Sequence, residues 1–283
     1  MLTRVEASAL LDDNPASGRE AREVNTWRDD QGRMLARACV SGVLRWIDWL
    51  GIGRFSFTPP SRTVTVHRAP GVPDAILADT FNRQVQPIVL QALGFQALHA
   101  SAAVVGDAVV VFAGQAHSGK STLAHAMGRA GHPQFADDAV VIDARSAVVV
   151  AHAMAFSPRL RDPSRAHFGS SARTDAGGAT VPAGAVRPLG AIVLLTQSAS
   201  APAVPTLRRL SAAEGLRLTL AHANGFDAVD PRERRRTLED YLRITQAAPI
   251  FDLTYRPVFA ELPALVSAVV PLLSGVDVVG ARR

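Results

Sequence analysis

Lysine is nearly absent from this chain: of its 30 lysine and arginine residues, only Lys120 is a lysine. A drift toward arginine fits a GC-rich coding background, and a lysine that survives it serves a chemistry that a guanidinium cannot. Cysteine is just as scarce. Cys39 stands alone, which excludes an internal disulfide and predicts a cytoplasmic protein. The opening Met1-Leu-Thr-Arg-Val-Glu6 has no secretion-signal pattern. The longest late apolar run, 262–276, has 15 residues and is broken by Pro263 and Pro271, so no membrane span is expected. The net charge is +5, but the arginines are scattered and no aromatic residues interleave with them, so no nucleic-acid partner is expected. The densest cluster, 232–236, reads as a solvated helix face. Glutamate is missing between Glu23 and Glu214.

What is present supports a buried core. Of the 283 residues 48% are apolar, enough for one large domain or two small ones. Residues 1–20 are polar and rich in alanine and serine, and read as a loose tail. From 21 to 93 the pattern predicts a small β-rich domain with a linking helix. Short β-type runs recur at 24–28, 33–40, 43–49, 54–58 and 62–68, separated by turn residues. Trp27, Trp46 and Trp49 all lie here, as core or rim packing or as a partner surface. Residues 74–93 have helical spacing, with a kink expected at Pro87 and a stop at Gly94.

From 94 to 283 strand and helix signals mix. Runs 97–105 and 108–112 flank Gly106-Asp107 and predict a hairpin. A helix is expected over 121–129, strands over 135–142 and 148–151, a buried strand over 189–196, helices over 211–223 and 231–247, a strand over 250–255 and a last helix over 262–273. Residues 162–187 are rich in small and polar residues without periodicity, the composition of a lid or a disordered excursion.

The lone lysine sits in Gly114-Gln-Ala-His-Ser-Gly-Lys-Ser121. That spacing is G-x-x-x-x-G-K-[ST], the phosphate-binding loop. Its glycines let successive backbone N–H groups turn inward around an anion, and the following helix adds its positive N-terminal end. Gly114, His117, Ser118, Gly119, Lys120, Ser121 and Thr122 would then surround the phosphates of ATP. Lys120 would reach the β- and γ-phosphates, and the Ser121 hydroxyl would ligate Mg²⁺. Downstream, Phe135-Ala-Asp-Asp138 brings two carboxylates near the loop. One can hold Mg²⁺ while the other accepts a proton from an attacking hydroxyl. Neighbours on an extended strand point to opposite faces, so the pair needs a bend to converge. Otherwise only one acts, or one caps a turn.

Leu98-His-Ala-Ser101, the hairpin, the 114–122 loop with its short helix, Gly131-His132 and Ala136-Asp137-Asp138 together resemble the catalytic domain of the HPr serine kinases. Downstream stretches and the β-rich N-terminal part resemble the divergent HPr-kinase-like proteins encoded beside peptide natural-product genes, lasso peptides among them. The resemblance implies an α/β fold, a phosphate-loop domain with a mixed sheet behind a small β-rich domain. It implies an ATP- and Mg²⁺-dependent kinase acting on a serine hydroxyl of a peptide or protein, in particular a ribosomal precursor peptide. It makes Asp138 the base, Asp137 the metal ligand, and His99 a residue near the transferred phosphate. Read from the residues alone, His99 is a satisfied strand-end histidine. Homo-oligomers occur in the family, but nothing in this sequence specifies an interface.

Three departures qualify the resemblance. Ala116 and His117 stand where the family has serine and glycine. No lysine follows Lys120, so reversal by phosphorolysis is not expected. No glutamate falls where the family has a further metal ligand, and Asp143 or Asp162 would have to replace it. Arg159 and Arg161, before the patternless stretch, could stabilise charge on the transferring group or hold an acidic substrate. His152 and His167 have no metal-ligand spacing. Ser171, Thr174 and Thr180 are loop hydroxyls open to autophosphorylation. A kinase for a small hydroxylated metabolite and a non-catalytic nucleotide switch remain the competing readings.

Overall fold

Apolar and polar side chains alternate through much of 22–68, the pattern of strands that bury one face. The computed structural model describes residues 2–6, 21–29, 31–156, 158–169, 178–226 and 231–273. In it β1 (Thr3–Glu6) is followed by β2 (Arg22–Arg28), β3 (Met34–Ser41), β4 (Leu44–Trp49), β5 (Gly53–Phe57) and β6 (Thr63–Arg68). They form one six-stranded sheet in the order β1-β6-β5-β4-β3-β2. Strands β2 to β6 are an antiparallel meander, and β1 lies parallel to β6. The expected loose tail is thus corrected at Thr3–Glu6, a run too short to show alternation by itself and held by the open edge of β6. Residues 7–20 lie outside those described.

Chain contacts divide the protein into two units, Met1–Phe95 with Gly225–Thr237, and Gln96–Asn224 with Leu238–Arg283. In the first unit Ala36, Ala38, Ile47, Phe55, Val64 and Val66 are buried together with Leu77, Phe81, Val85, Ile88 and Val89 of the following helical stretch. The rings of Phe55 and Phe81 stack at 6.3 Å. Trp46 is buried under the Arg54 guanidinium, 5.3 Å from its ring.

The helical stretch consists of α1 (Asp74–Thr80), a π turn (Phe81–Val85) and α2 (Gln86–Ala92). The irregularity expected at Pro87 lies ahead of it. Proline has no N–H to give the carbonyl four residues back, and its ring crowds that carbonyl. The turn therefore widens, and the Gln86 N–H reaches Phe81 O. The return of 225–237 to this unit rests on the Asn25 amide donating to Gly225 O at 3.2 Å, an edge contact of Phe57 with Phe226, and an Arg45–Glu233 ion pair at 2.6 Å.

The second unit contains β7 (Gln96–Leu98), β8 (Ala100–Val105), β9 (Ala108–Ala113), α3 (Lys120–Arg129), β10 (Gln134–Ala136), β11 (Val140–Asp143), β12 (Val150–His152), α4 (Asp162–Phe168), β13 (Val186–Gln197), β14 (Thr206–Arg209) and α5 (Ala212–Leu220). It continues with most of α6 (Pro231–Ala247), then β15 (Ile250–Tyr255) and α7 (Leu262–Val269). The strands form a mixed sheet, β10-β8-β9-β13-β12-β11-β7, with β15 beside β13 and β14 beside β15. Strands β9, β13 and β15 are parallel. Alternate residues of these strands enter different layers. Val109, Val111, Ile192 and Leu194 pack with Phe135, Ile142, Tyr241 and Ile244. Val110, Phe112, Val193 and Leu195 pack with Leu123 and Met127 of α3 and Leu262 and Leu265 of α7.

Three expectations are corrected. The strand expected over 97–105 breaks at His99 into β7 and β8. The strand expected over 135–142 breaks at 137–139 into β10 and β11. These breaks face each other, because β8 pairs with β10 while β7 pairs with β11. Within 162–187, α4 and the start of β13 are ordered, while 170–177 lie outside the described residues. Pro188 is tolerated in β13 because pairing with β9 begins only at Leu189, so no partner on that side needs its missing N–H. Among the described residues no helix is long and apolar enough to cross a membrane.

Candidate functional site

The parallel strands β9, β13 and β15 end beside one another, at Ala113, Gln197 and Tyr255. In open α/β sheets the carboxyl ends of parallel strands are where ligands bind. Here the chain leaves β9 through Gly114 and turns with Ser118 N donating to Gln115 O at 3.1 Å. It enters α3 from Gly119, whose φ of 79° is left-handed. Side chains are excluded at both glycines by close neighbours as well as by conformation. A Cβ on Gly114 would stand 2.8 Å from Leu195 O, and one on Gly119 2.5 Å from the Tyr255 hydroxyl. Lys120 is buried beneath the turn, and its ammonium donates to Gly114 O and Gln115 O, both at 3.0 Å. Burial lowers its pKa, while Asp138 and Asp137 oppose that shift.

The two broken strands bring the acids to this turn. Asp138 adopts a left-handed φ of 69°, which bends the chain between β10 and β11. Asp137 is 4% exposed. It accepts from Ser101 Oγ of β8 at 2.9 Å and from the Arg159 main-chain N–H at 3.1 Å, and Ser121 also hydrogen-bonds to it. Burial and the neighbouring Asp138 hold its carboxyl above the usual carboxylate range. Across the break the His99 ring donates from Nδ1 to Asp138 O at 3.0 Å. A carbonyl can only accept, so the neutral ring keeps its lone pair on Nε2. The protein packed around the ring and the Lys120 ammonium push the His99 pKa down, although part of the residue is open to solvent.

The structure thus brings Gly114, Ser118, Gly119, Lys120, Ser121, Asp137, Asp138 and His99 to one place. Thr122 faces elsewhere: its hydroxyl meets Ser164 Oγ of α4 at 2.9 Å. Arg159 donates its main-chain N–H to Asp137. His117 has a left-handed φ of 68° and meets the Arg161 guanidinium. Asp143 and Asp162, the possible replacements for a further metal-ligating glutamate, are both held by arginines. Arg145 forks onto Asp143 at 2.7 and 2.8 Å, and Arg165 pairs with Asp162. Of the loop hydroxyls, Ser171 and Thr174 lie outside the described residues.

Among the described residues no group of three or more His, Cys, Asp or Glu converges to cage a metal. Mg²⁺ does not need one, since it is commonly held by one or two carboxylates with waters and substrate phosphates. Asp137 with Ser121 fits that need. The carboxylate is buried beside a second acid, and the hydrogen bonds it receives come from uncharged donors.

Several residues of the site escaped sequence reasoning. Ser101 lies in a strand buried throughout, and a buried hydroxyl needs a partner, which was the available signal. Tyr255 donates to Ser118 O at 2.6 Å and accepts from Gln197 Nε2 at 3.1 Å, supporting the turn from below. Nothing local marks either residue. His222 follows α5, and its carbonyl accepts from His99 N–H at 2.8 Å. Its pKa is lowered by burial and by the charges of Lys120 and His99.

No protein-family model matches the chain, and no curated protein does. Among solved structures, the Hpr(Ser) kinase/phosphatase from Coxiella burnetii is similar at 15% identity, covering 62% of this chain and 93% of that one, with a TM-score of 0.34. A score at that level does not establish a shared fold.

Proposed function

We propose that the second unit is a kinase that transfers the γ-phosphate of ATP to a serine hydroxyl of a peptide or protein. The observation that carries this reading is the lone lysine, buried under a glycine turn at the start of α3 and facing two acids on a bent strand. The turn and the α3 N-terminus would hold the triphosphate, with Lys120 exchanging its carbonyl partners for phosphate oxygens. Ser121 and Asp137 would hold Mg²⁺, which supplies charge neutralisation at the phosphates. Asp138 accepts the proton of the attacking hydroxyl. The bond from the acceptor oxygen to the γ-phosphorus forms, the bond from that phosphorus to the β,γ-bridging oxygen breaks, and ADP leaves. His99 Nε2 offers a second acceptor beside the reacting group. Such catalysis is mainly positioning and electrostatics.

The finer acceptor class, a ribosomal precursor peptide of the lasso type, rests on the sequence resemblance alone. A nucleotide-binding switch without transfer is the second reading. The observation favouring it is the ion pairing of Asp143 and Asp162, which leaves neither carboxylate free as an extra metal ligand.

The test is phosphate transfer from γ-labelled ATP with Mg²⁺ by the full chain. The acceptors are the precursor peptide encoded nearest the gene and free serine, and the controls are Lys120→Ala and Asp138→Asn. Label on a peptide serine, lost in both variants, is the expected result. Label on free serine alone would make it a metabolite kinase. ATP binding without transfer to either acceptor would leave the switch.

A further inference from the structure

Several arginines of the second unit are neutralised by an acid. Arg145 pairs with Asp143 and Arg208 with Glu214, at 2.7 and 2.9 Å, and Arg165 and Arg256 pair with Asp162 and Glu261. Arg161 differs. Among the described residues its guanidinium pairs with no carboxylate and is held by the imidazole of His117, at 3.1 Å from Nε2 and closer to Nδ1. A guanidinium has no acceptor, so the imidazole nitrogen that takes this bond does so with a lone pair. The contact fixes the direction of Arg161 and leaves its positive charge uncompensated. His117 belongs to the turn whose carbonyls hold the Lys120 ammonium, so Arg161 is tied to that same turn. Two cations therefore converge on one glycine turn, at the positive end of α3.

The segment that carries Arg161 is tied to α3 and to the break between β10 and β11. Arg159 N–H bonds Asp137, Ser164 meets Thr122, Phe168 packs edge-on to His125 at 4.6 Å, and the Arg129 guanidinium donates to Phe168 O at 2.9 Å. Asp137 and Asp138 face Lys120, but Arg161, held on the same turn with no carboxylate partner among the described residues, adds a positive charge suited to a multiply charged anion.

Resting on the nucleotide reading above, we propose that Arg161 is a second phosphate ligand, placed over the terminal phosphates of ATP by His117. On this view His117, one of the two loop residues that depart from the resembled family, is a positioning residue.

The experiment is calorimetric titration of the full chain with ATP, ADP and AMP. It compares wild type, Arg161→Ala, Arg161→Lys, His117→Ala and the double variant, with thermal melts to verify folding; Arg161 is exposed, so its variants are expected to fold. Arg161→Ala is expected to weaken ATP roughly tenfold to a hundredfold, the loss of about one or two charged hydrogen bonds, with AMP unchanged. Arg161→Lys is expected to recover part of that loss. His117→Ala is expected to weaken ATP less, and to add nothing in the Arg161→Ala background. A wild type that binds ATP and an Arg161→Ala variant that binds it equally or more tightly would overturn this proposal alone. Independent losses from the two positions would overturn the role of His117. A wild type that binds no ATP would remove the nucleotide reading and this proposal with it.

Discussion

The hydroxyl of Tyr255 donates to the main-chain carbonyl of Ser118 at 2.6 Å, and stands 2.5 Å from where a Cβ on Gly119 would be. The end of β15 thus carries the phosphate-type turn that follows β9, and Gly119 is glycine partly to let the tyrosine approach. Tyr255→Phe keeps the ring and removes the bond. It is expected to lower stability by about 1 kcal/mol and to weaken nucleotide binding by no more than about fivefold. Gly119→Ala should be worse on both counts, since it adds a clash to a left-handed backbone. Chemical denaturation and nucleotide titration check both. A Tyr255→Phe variant equal to wild type would show that the turn holds itself.

Asp137 illustrates a site that works against stability. Its folded pKa lies above 3.8 because it is buried beside Asp138. A group with a raised folded pKa contributes stability below its unfolded value and loses it as pH rises through the folded pKa. In chelator, ionised Asp137 therefore destabilises the protein at neutral pH. Asn can still take the Arg159 N–H on its oxygen and offer its amide to Ser101 Oγ. Asp137→Asn is expected to melt at least as high as wild type at pH 7 to 8, with a flatter pH profile and no phosphate transfer. A lower melting temperature at every pH would contradict this.

The Asp143–Arg145 pair titrates in the opposite sense. The Arg145 fork holds Asp143 at about 2, below its ordinary 3.8. Its contribution is present above pH 3.8 and is lost as pH falls through about 2. Arg145→Gln should remove up to about 1 kcal/mol at neutral pH, since the pair is partly open to solvent, and make the acid limb of the stability curve shallower. Denaturant titrations between pH 2 and 7 measure it.

Lys120→Arg tests why one lysine persists among arginines. The ammonium fits under the turn against two carbonyls 3.0 Å away. A planar guanidinium is wider and presents its donors in a fixed fork. The variant is expected to fold and to lose phosphate transfer about a hundredfold or more, the scale on which one preorganised charge acts. Near-normal transfer would mean that coding background, not chemistry, preserved the lysine.

Both strand breaks lie at the candidate site. The residues 97–105 and 135–142 read as single strands because apolar β-formers continue past His99 and Asp137-Asp138. Pairing of β8 with β10 and of β7 with β11 sets the breaks opposite one another, and His99 closes the gap onto Asp138 O. The need for a bend was visible in the adjacent carboxylates; the left-handed residue that makes it was not. Local sequence also hid β1, whose existence depends on the free edge of β6, and the return of 225–237 to the first unit through Arg45 and Phe57.

By itself the sequence determined what depends on neighbours along the chain. That includes the hairpin of β8 and β9, the glycine turn with Lys120, the helix that follows, and the continuous apolar runs of β9 and β13 that mark buried strands. Only the tertiary structure decided which distant groups share the site. Ser101, Gln197, Tyr255 and His222 come from separate elements. A hydrogen bond between strand ends leaves no periodic trace in sequence, because pairing and register are set by how the sheet assembles as a whole.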